Sequence, residues 1–195
     1  MFADGSGPPP EALAEYVDGI DFRGKSVLDM GANLGFFAFL AARRGAACVL
    51  GMDSDPDAVE GARLLASLHG LDNVHFAWRD FLEAPPILRA DMVMVIDFIG
   101  RGVVSKGRLD DVITLAARLA VRELVVTMRP KYRLEELQPL SPGLQEHYGA
   151  YLREGTFSLG EYVRDFLGDD FHGRVLHEGL VEKHQLKKAY LFTRV

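Results

Sequence analysis

The feature that most constrains the fold is a regular alternation of short apolar segments with amphipathic ones, which begins at residue 26. Apolar periodicity and flanking turn residues predict strands at 26–30, 47–52, 73–78, 91–96 and 123–128. Amphipathic segments between them predict helices, one of which starts at Asp55-Pro56, a capping residue followed by a first-turn proline. We interpret the pattern as five βα units, which is typical of a parallel sheet with helices on both faces.

The pattern changes after residue 130. Residues 131–157 look irregular, and Ser158 with Glu161 is predicted to form a capping box for a further helix. Strands at 174–181 and 188–194 are joined by a link too short for a crossover helix, so they should run antiparallel. The predicted fold class is therefore α/β: a doubly wound, mostly parallel seven-stranded sheet with the last strand antiparallel.

Chain length and apolar spacing predict the domain organisation. A chain of 195 residues suits one α/β domain, which we place at 25–195. Residues 1–24 are predicted to be a flexible arm, containing Pro8-Pro9-Pro10, and a short helix marked by Leu13, Tyr16 and Val17.

Charge and cysteine content exclude some classes of protein. The formal net charge of −6 disfavours a mainly electrostatic grip on nucleic acid, although a local basic cluster would still serve an RNA substrate. Cys48 is the only cysteine, so no internal disulfide forms, and its apolar surroundings predict a buried thiol. We see neither a signal peptide nor a segment long enough to span a bilayer, so a cytoplasmic location and no membrane partner are expected.

Segment 27–37 reads VLDMGANLGFF, a strand followed by a glycine-containing turn and the start of a helix. A glycine-rich turn alone is a weak signal, because nicotinamide and flavin enzymes share it. Asp29 distinguishes between ligands. A carboxylate beside a pyrophosphate would repel it by roughly 4 kcal/mol at ~4 Å and an effective dielectric constant of ~20. The segment therefore favours a ligand with cationic groups and no phosphate.

Segment 27–37 resembles the first motif of class I S-adenosylmethionine-dependent methyltransferases, whose cofactor carries an ammonium and a sulfonium group. The resemblance runs from about residue 25 to the end of the chain and is specific only from 27 to about 97. It implies a seven-stranded fold in which Asp53 binds the ribose hydroxyls, Asp80 accepts the adenine amino group and Phe81 packs beside the adenine. The cofactor-binding residues that it implies are Asp29, Gly31, Ala32, Asn33, Gly35, Asp53, Ser54, Asp80 and Phe81.

Each of these positions has a structural explanation as well. Asp, Gly and Asn are common after strands because they suit turns and helix caps. Asn33 stands where many relatives have a further glycine, and Asn tolerates a positive φ better than most residues.

Asp97, at the end of the fourth predicted strand, is the first candidate for a catalytic residue that orients the acceptor or takes its proton. The alternative is a turn residue or a cofactor contact. The residues after it, Phe98 to Gly102, lack the Asn/Asp-Pro-Pro-aromatic motif of amino-directed DNA methyltransferases, which argues against base amino groups as acceptors.

Segment 131–157 lies where methyltransferases of this class commonly insert acceptor-binding structure. Tyr132, His147, Tyr148 and Tyr151 offer aromatic faces for a small organic acceptor. Cationic side chains for a carboxylate or phosphate on the acceptor come from Arg129, Lys131 and Arg133. The alternative is a solvated loop with a few packed tyrosines.

The histidines suggest no metal site, because His172, His177 and His184 lack the spacing of metal ligands. The sequence as a whole predicts a class I methyltransferase acting on a small-molecule acceptor. Two alternatives stay open: a non-catalytic S-adenosylmethionine-binding module in a larger complex, and a methyltransferase acting on RNA or protein. A nicotinamide-dependent oxidoreductase is disfavoured by Asp29 and the closing hairpin.

Overall fold

The computed structural model describes residues 14–137, 139–181 and 185–195. Within these ranges the chain forms ten strands, three of which are only two residues long. In chain order they are β1 (Ser26–Met30), β2 (Cys48–Asp53), β3 (Val74–Trp78), β4 (Ala90–Ile99), β5 (Ala120–Met128), β6 (Tyr132–Arg133), β7 (Leu152–Arg153), β8 (Thr156–Phe157), β9 (Phe171–Val181) and β10 (Gln185–Arg194).

Seven strands form the main sheet, in the order β3-β2-β1-β4-β5-β10-β9. The first five pair in parallel, and β10 runs antiparallel to both β5 and β9. The predicted seven-stranded sheet with its last strand antiparallel is confirmed. In such a sheet the carboxyl ends of β1 to β5 lie along one edge, where ligands of doubly wound folds bind.

Six α-helices accompany the strands in the described ranges. They are α1 (Phe36–Arg43), α2 (Pro56–Leu68), α3 (Arg101–Ser105), α4 (Leu109–Leu119), α5 (Pro142–His147) and α6 (Leu159–Leu167). The predicted cap of α2 is confirmed, because the Asp55 carboxylate accepts hydrogen bonds from the backbone N–H groups of Asp57 and Ala58. The predicted capping box of α6 is wrong, because the Ser158 side chain makes no capping hydrogen bond.

The helices cover both faces of the sheet, as predicted. Alternate residues of β1 point to opposite faces: Val27 joins the core formed with α1 and α2, and Leu28 joins the core formed with α4 and α6. Both residues are almost fully buried, and β4 is buried on both faces, which explains its nearly continuous apolar sequence.

Two local expectations need correction. Residues 79–89 link β3 to β4 without a helix, so the chain does not form five complete βα units. Pro85-Pro86 in this link lacks backbone N–H donors, which prevents helical hydrogen bonding there. Cys48 is exposed rather than buried, because it is the first residue of β2 and the inward-facing position is that of Val49.

The predicted arm and short helix at residues 1–24 can be compared with the structure only from Ala14 onwards. The predicted arm at residues 1–10, and Leu13 of the predicted helix, lie outside the described residues. Among the described residues, this part of the chain contains the 3₁₀ turn Glu15–Val17, in which Tyr16 and Val17 are buried. This turn packs against β9 and β10. In the described part of the chain, no helix has both the length and the apolar character needed to cross a membrane.

Segment 131–157 is more regular than expected. It contains a three-stranded antiparallel sheet in the order β6-β8-β7, together with α5 and two 3₁₀ turns. This small sheet follows directly on β5, so the segment begins at the carboxyl edge of the main sheet.

Candidate functional site

The glycine-containing turn after β1 is held tightly against β2. The backbone N–H groups of Gly31 and Ala32 both donate to the carbonyl of Met52, at 2.8 and 2.9 Å. Gly31, Asn33 and Gly35 have φ values of 80°, 49° and 84°, in the left-handed region. The turn therefore uses two glycines and the asparagine where positive φ is needed, as expected of Asn33.

Asp53 joins this turn to the end of β2. Its Oδ2 accepts a hydrogen bond from the Asn33 N–H at 2.8 Å, and its Oδ1 accepts one from the Asp55 N–H at 3.0 Å. A carboxylate has about four acceptor positions, so both oxygens retain capacity for hydroxyl donors. Asp53 thus positions the turn and still presents a charged acceptor at the edge of the sheet.

Gly31 also allows the end of β4 to approach the turn. A Cβ atom built on Gly31 would lie 2.6 Å from Cδ2 of Phe98. The Phe98 ring in turn lies 5.1 Å, centre to centre, from Phe81. The glycine turn, β4 and the start of the β3–β4 link therefore meet at one place.

Replacing Gly31 with Ala is expected to destabilise the protein by roughly 1–3 kcal/mol, because the new methyl group collides with Phe98 and the backbone stays at positive φ. Chemical denaturation of both proteins measures the difference. Gly143→Ala is the matched control, since a Cβ there meets nothing within 4 Å. Equal effects of the two substitutions would contradict the close approach.

Asp29 is the most unusual polar residue of the site. It is only 2% exposed, and its Oδ2 has no hydrogen-bond partner among the described residues. Burial raises the pKa of its carboxyl to about 7, the backbone N–H of Ala38 lowers the pKa, and the negative charge of Asp53 raises it. An uncompensated buried carboxylate is costly, so this one is suited to a cationic partner.

The other predicted cofactor residues lie along the same edge. Ser54 follows β2, and its carbonyl accepts a hydrogen bond from Trp78 Nε1 at 3.0 Å. Asp80 is exposed, and its Oδ1 accepts from the N–H groups of Leu82 and Glu83, which is the contact of a turn residue. Phe81 is buried, so little of its ring is open to a ligand in this structure.

Asp97 lies inside β4 rather than after it, at a φ of 55°, where the pairing of β4 with β5 is interrupted. Its N–H donates to Thr127 Oγ1 at 2.8 Å, and the Thr127 hydroxyl donates to Asp97 Oδ1 at 3.3 Å. Lys187 Nζ donates to the same Oδ1 at 2.7 Å. The carboxylate is therefore part of a cluster that joins β4, β5 and β10.

Sequence reasoning missed Thr127, Lys187 and Phe98 at this edge. Thr127 carried a signal, because it is a polar residue at the end of the apolar run Leu124 to Met128. Lys187 and Phe98 carried none, since a lysine in a terminal strand and an aromatic residue after a strand are ordinary features.

Two of the four aromatic residues predicted to face an acceptor are instead buried, and the other two make polar contacts. Tyr132 and Tyr148 are buried in the core, which corrects the expected role of Tyr148 as an open acceptor face. His147 Nε2 lies within hydrogen-bond distance of both Asp110 Oδ2, at 2.8 Å, and the Tyr162 hydroxyl, at 2.9 Å. Tyr151 donates to Asp165 at 3.0 Å.

Of the three cationic side chains predicted to contact the acceptor, two are already paired with glutamates. Arg129 forms a bidentate ion pair with Glu136, at 3.0 and 3.2 Å, and Arg133 contacts Glu135 at 3.3 Å. The Arg129 pair lowers the pKa of Glu136. These residues, with Lys131 and Thr156, line a cleft of about 520 Å³.

His172 and His177, the two of the three named histidines that the structure describes, do not form a metal site. His177 Nε2 lies 3.5 Å from Glu15, His172 is exposed on β9, and His184 lies outside the described residues. No group of three potential metal ligands occurs within the part of the chain that the structure describes.

The matching family model and two curated relatives of this chain are methyltransferases. A family model described as a methyltransferase domain matches residues 21–131. Ribosomal protein L11 methyltransferases are similar over part of the chain: that of Enterobacter sp. (strain 638) is 33% identical over 94 residues, and that of Haemophilus influenzae (strain PittEE) is 35% identical over 94 residues. The matched part covers 48% of this chain and 31% of each relative, so the chain spans less than a third of their length.

Solved structures match over nearly the whole chain. Magnesium protoporphyrin IX methyltransferase from Synechocystis PCC 6803, solved with S-adenosylhomocysteine bound, superposes with a TM-score of 0.64 at 20% identity, covering 95% of this chain and 80% of that one. The YcgJ protein from Bacillus subtilis superposes with a TM-score of 0.63 at 16% identity, covering 94% and 98%. At these identities the match establishes the shared fold.

Proposed function

The chain belongs to the class I S-adenosylmethionine-dependent methyltransferases, and from this premise we propose that it transfers a methyl group to a small-molecule acceptor. S-adenosylmethionine, the cofactor of this family, supplies an activated methyl group on a sulfonium sulfur. The protein's main task in such an in-line displacement is to align the two reactants, and a base matters only if the acceptor must lose a proton.

The observation that carries the proposal is the unpartnered Oδ2 of Asp29, buried beneath the glycine turn. A cationic ligand group stabilises this carboxylate in its ionised form, whereas a phosphate destabilises it. We propose that Asp29, Gly31, Ala32, Asn33 and Gly35 hold the amino-acid part of the cofactor.

The adenosine part has its own proposed partners. Asp53 is proposed to accept hydrogen bonds from the ribose hydroxyls, because it stands at the strand end with acceptor capacity on both oxygens. Ser54 stands beside it, and Asp80 and Phe81 are proposed to contact the adenine. These residues follow β2 and β3, which are neighbours in the sheet.

The cleft formed by the start of segment 131–157 supports a small-molecule acceptor. Its volume of about 520 Å³ is in the range of small-ligand sites. Lys131 is exposed in its lining, which favours an acceptor with a carboxylate or phosphate group. We propose that segment 131–157 is the acceptor-binding insertion. The acceptor would bind in this cleft and not against Tyr148, which is buried.

A protein acceptor is the second candidate, because the relatives with 33–35% identity are methyltransferases of ribosomal protein L11. Incubating the protein with methyl-labelled S-adenosylmethionine and a cell extract separated into small molecules, proteins and RNA distinguishes the candidates. Label in the small-molecule fraction supports the proposal, and label only in the protein or RNA fraction refutes it. No transfer to any fraction would favour a non-catalytic binding module.

Ligand choice is tested by thermal unfolding. A ligand that binds only the folded protein stabilises it by ~2.7 kcal/mol at about a hundred times its Kd. S-adenosylmethionine and S-adenosylhomocysteine are therefore expected to raise the Tm, and NAD and NADP to leave it unchanged. A shift with NAD alone would contradict the cofactor assignment.

A further inference from the structure

We infer that the exposed face of the small sheet β6-β8-β7 is an anion-binding site, and that it holds a phosphate monoester group carried by the acceptor. The inference rests on the proposed methyltransferase function and deepens it, because it names the group by which the acceptor is recognised. It adds Arg153 and Thr156, which no motif indicated, to the cationic side chains of the cleft.

A tight hairpin places Arg153 directly opposite Thr156. Strands β7 and β8 are joined by only two residues, Glu154 and Gly155, which both have a positive φ, of 49° and 70°. Two-residue loops of this kind fix the register of antiparallel strands. Arg153 pairs with Thr156 across the hairpin, and Thr156 pairs with Arg133 of β6 on its other side. Arg133, Thr156 and Arg153 therefore form one row across the small sheet, which we call the cationic row.

The two faces of the small sheet differ in burial. Side chains of directly paired residues lie on the same face, and the next row lies on the opposite face. That next row consists of Tyr132, Phe157 and Leu152, of which the two aromatic residues are buried in the core. Arg133 and Arg153 are exposed. The aromatic face therefore anchors the sheet to the core, and the cationic row is presented to solvent.

The cationic row borders the cleft of about 520 Å³. Arg133 and Thr156 line the cleft, and so does Lys131, two residues before Arg133. The lining starts with the residue that follows β5, at the edge of the main sheet where Thr127 contacts Asp97. A ligand in the cleft can therefore contact the row with one end and extend towards that edge with the other.

Three cationic side chains are available to a ligand at the row. In the described parts of the chain, neither Lys131 nor Arg153 forms an ion pair. Arg133 contacts Glu135 at 3.3 Å, but these side chains are 77% and 74% exposed, so solvent screens the pair and little energy is lost when it breaks. The carboxylates beside the three cations in the chain are Glu135 and Glu154, both exposed. The row therefore keeps an excess of positive charge in a protein whose net charge is −6.

The arrangement of donors favours a phosphate monoester over a carboxylate. Neighbouring strands lie ~4.8 Å apart, so Arg133 and Arg153 stand ~10 Å apart at the backbone and approach an anion above Thr156 from two sides. The Thr156 hydroxyl is a third donor. One arginine fork satisfies the two oxygens of a carboxylate, whereas a phosphate monoester has three free oxygens and a charge of about −1.5 to −2. A phosphodiester of RNA has two free oxygens and one charge, so it fits this set of donors less well.

Titration calorimetry with phenyl phosphate tests the site on the whole protein. We expect the wild type to bind phenyl phosphate more tightly than benzoate, which carries a carboxylate on the same ring. Arg133→Gln and Arg153→Gln should each raise the Kd for phenyl phosphate by about 5-fold or more, and the Tm should stay the same because both side chains are exposed. Arg122→Gln is the matched control, an exposed arginine at the amino end of β5, and should keep the wild-type Kd.

Three results of these titrations overturn the inference. The first is an equal Kd for phenyl phosphate in the wild type and both variants, and the second is tighter binding of benzoate than of phenyl phosphate. A single-stranded RNA oligonucleotide is titrated in parallel. Binding of the RNA without binding of phenyl phosphate is the third, because the row would then contact a phosphodiester backbone.

Product analysis separates this inference from the proposed function. Label from methyl-labelled S-adenosylmethionine is followed into the small molecules of an extract, and each labelled product is run on an anion exchanger before and after phosphatase treatment. Earlier elution after the treatment identifies a phosphate monoester and supports the inference. Labelled products that phosphatase leaves unchanged overturn it and leave the proposed function intact. Absence of any labelled small molecule refutes the proposed function, and the inference fails with it.

Discussion

Replacing Asp97 with Asn is expected to lower turnover by about 10²–10⁴-fold while S-adenosylmethionine affinity stays the same. The amide removes the negative charge and the proton acceptor but keeps the size of the side chain. Asparagine also tolerates the φ of 55° at this position, so the backbone of β4 should be retained. Steady-state kinetics with the identified acceptor, and calorimetric titration of the cofactor, measure the two effects separately.

Asp91→Asn is the matched control for this substitution. Asp91 lies at the other end of the same strand, where its Oδ2 accepts hydrogen bonds from the N–H and hydroxyl of Ser26 at 3.0 and 2.8 Å. Its removal should affect stability and leave turnover unchanged. Full turnover in Asp97→Asn would mean that Asp97 is a structural residue and that alignment of the reactants suffices.

Replacing Asp29 with Asn is expected to remove a large pH dependence of stability and to weaken cofactor binding. The folded-state pKa of about 7 lies above the usual 3.8, so between these values the folded protein holds a proton that the unfolded chain has released. The free energy of unfolding therefore falls as pH rises from about 4 to 7. The pKa difference corresponds to roughly 4 kcal/mol at pH values above 7.

Urea denaturation at a series of pH values measures this contribution as the difference between wild type and variant. Asp72→Asn, at an exposed position, is the control and should keep the wild-type slope. If the free energy of unfolding changed with pH equally in wild type and Asp29→Asn, the raised pKa of the buried Asp29 carboxyl would be contradicted.

Cofactor binding depends on the same carboxylate. A hydrogen bond to a charged group contributes about 1.5–3 kcal/mol, so the Kd for S-adenosylmethionine should rise roughly 10- to 150-fold in Asp29→Asn. In the wild type, a bound cation favours the ionised form, and binding near pH 6–7 should release a proton. Calorimetry in buffers with different ionisation enthalpies detects that proton, which the variant should not release.

Asp29 illustrates a conflict between stability and binding. At neutral pH the ligand-free protein is destabilised by a carboxylate that has one unpartnered oxygen. Proteins accept such local costs where a ligand group will compensate them. The glycine at position 31 has a similar double role, because it permits both the positive φ of the turn and the approach of Phe98.

Local sequence determined most of the secondary structure, including the turns at the carboxyl edge of the sheet. Asp55-Pro56 caps its helix through hydrogen bonds two and three residues away, and Asn33 adopts a positive φ that its own side chain tolerates. Features of this kind depend on neighbours in the chain, so they can be predicted from sequence. The capping box at Ser158 did not form, and the backbone of Ser158 has a ψ of 75°, outside the extended region that an N-cap residue usually adopts.

Only the tertiary structure decided which groups meet around Asp97. Asp97 and Lys187 are 90 positions apart, and folding brings Lys187 Nζ within 2.7 Å of Asp97 Oδ1. Whether a charge is paired, and whether a hydroxyl or carboxylate is buried, depends on the packing of distant segments around it. The sequence by itself therefore determined the family and the turns and strand ends along the carboxyl edge of the sheet. Burial and long-range contacts, which exist only after folding, determined the state of Asp29 and the partners of Asp97.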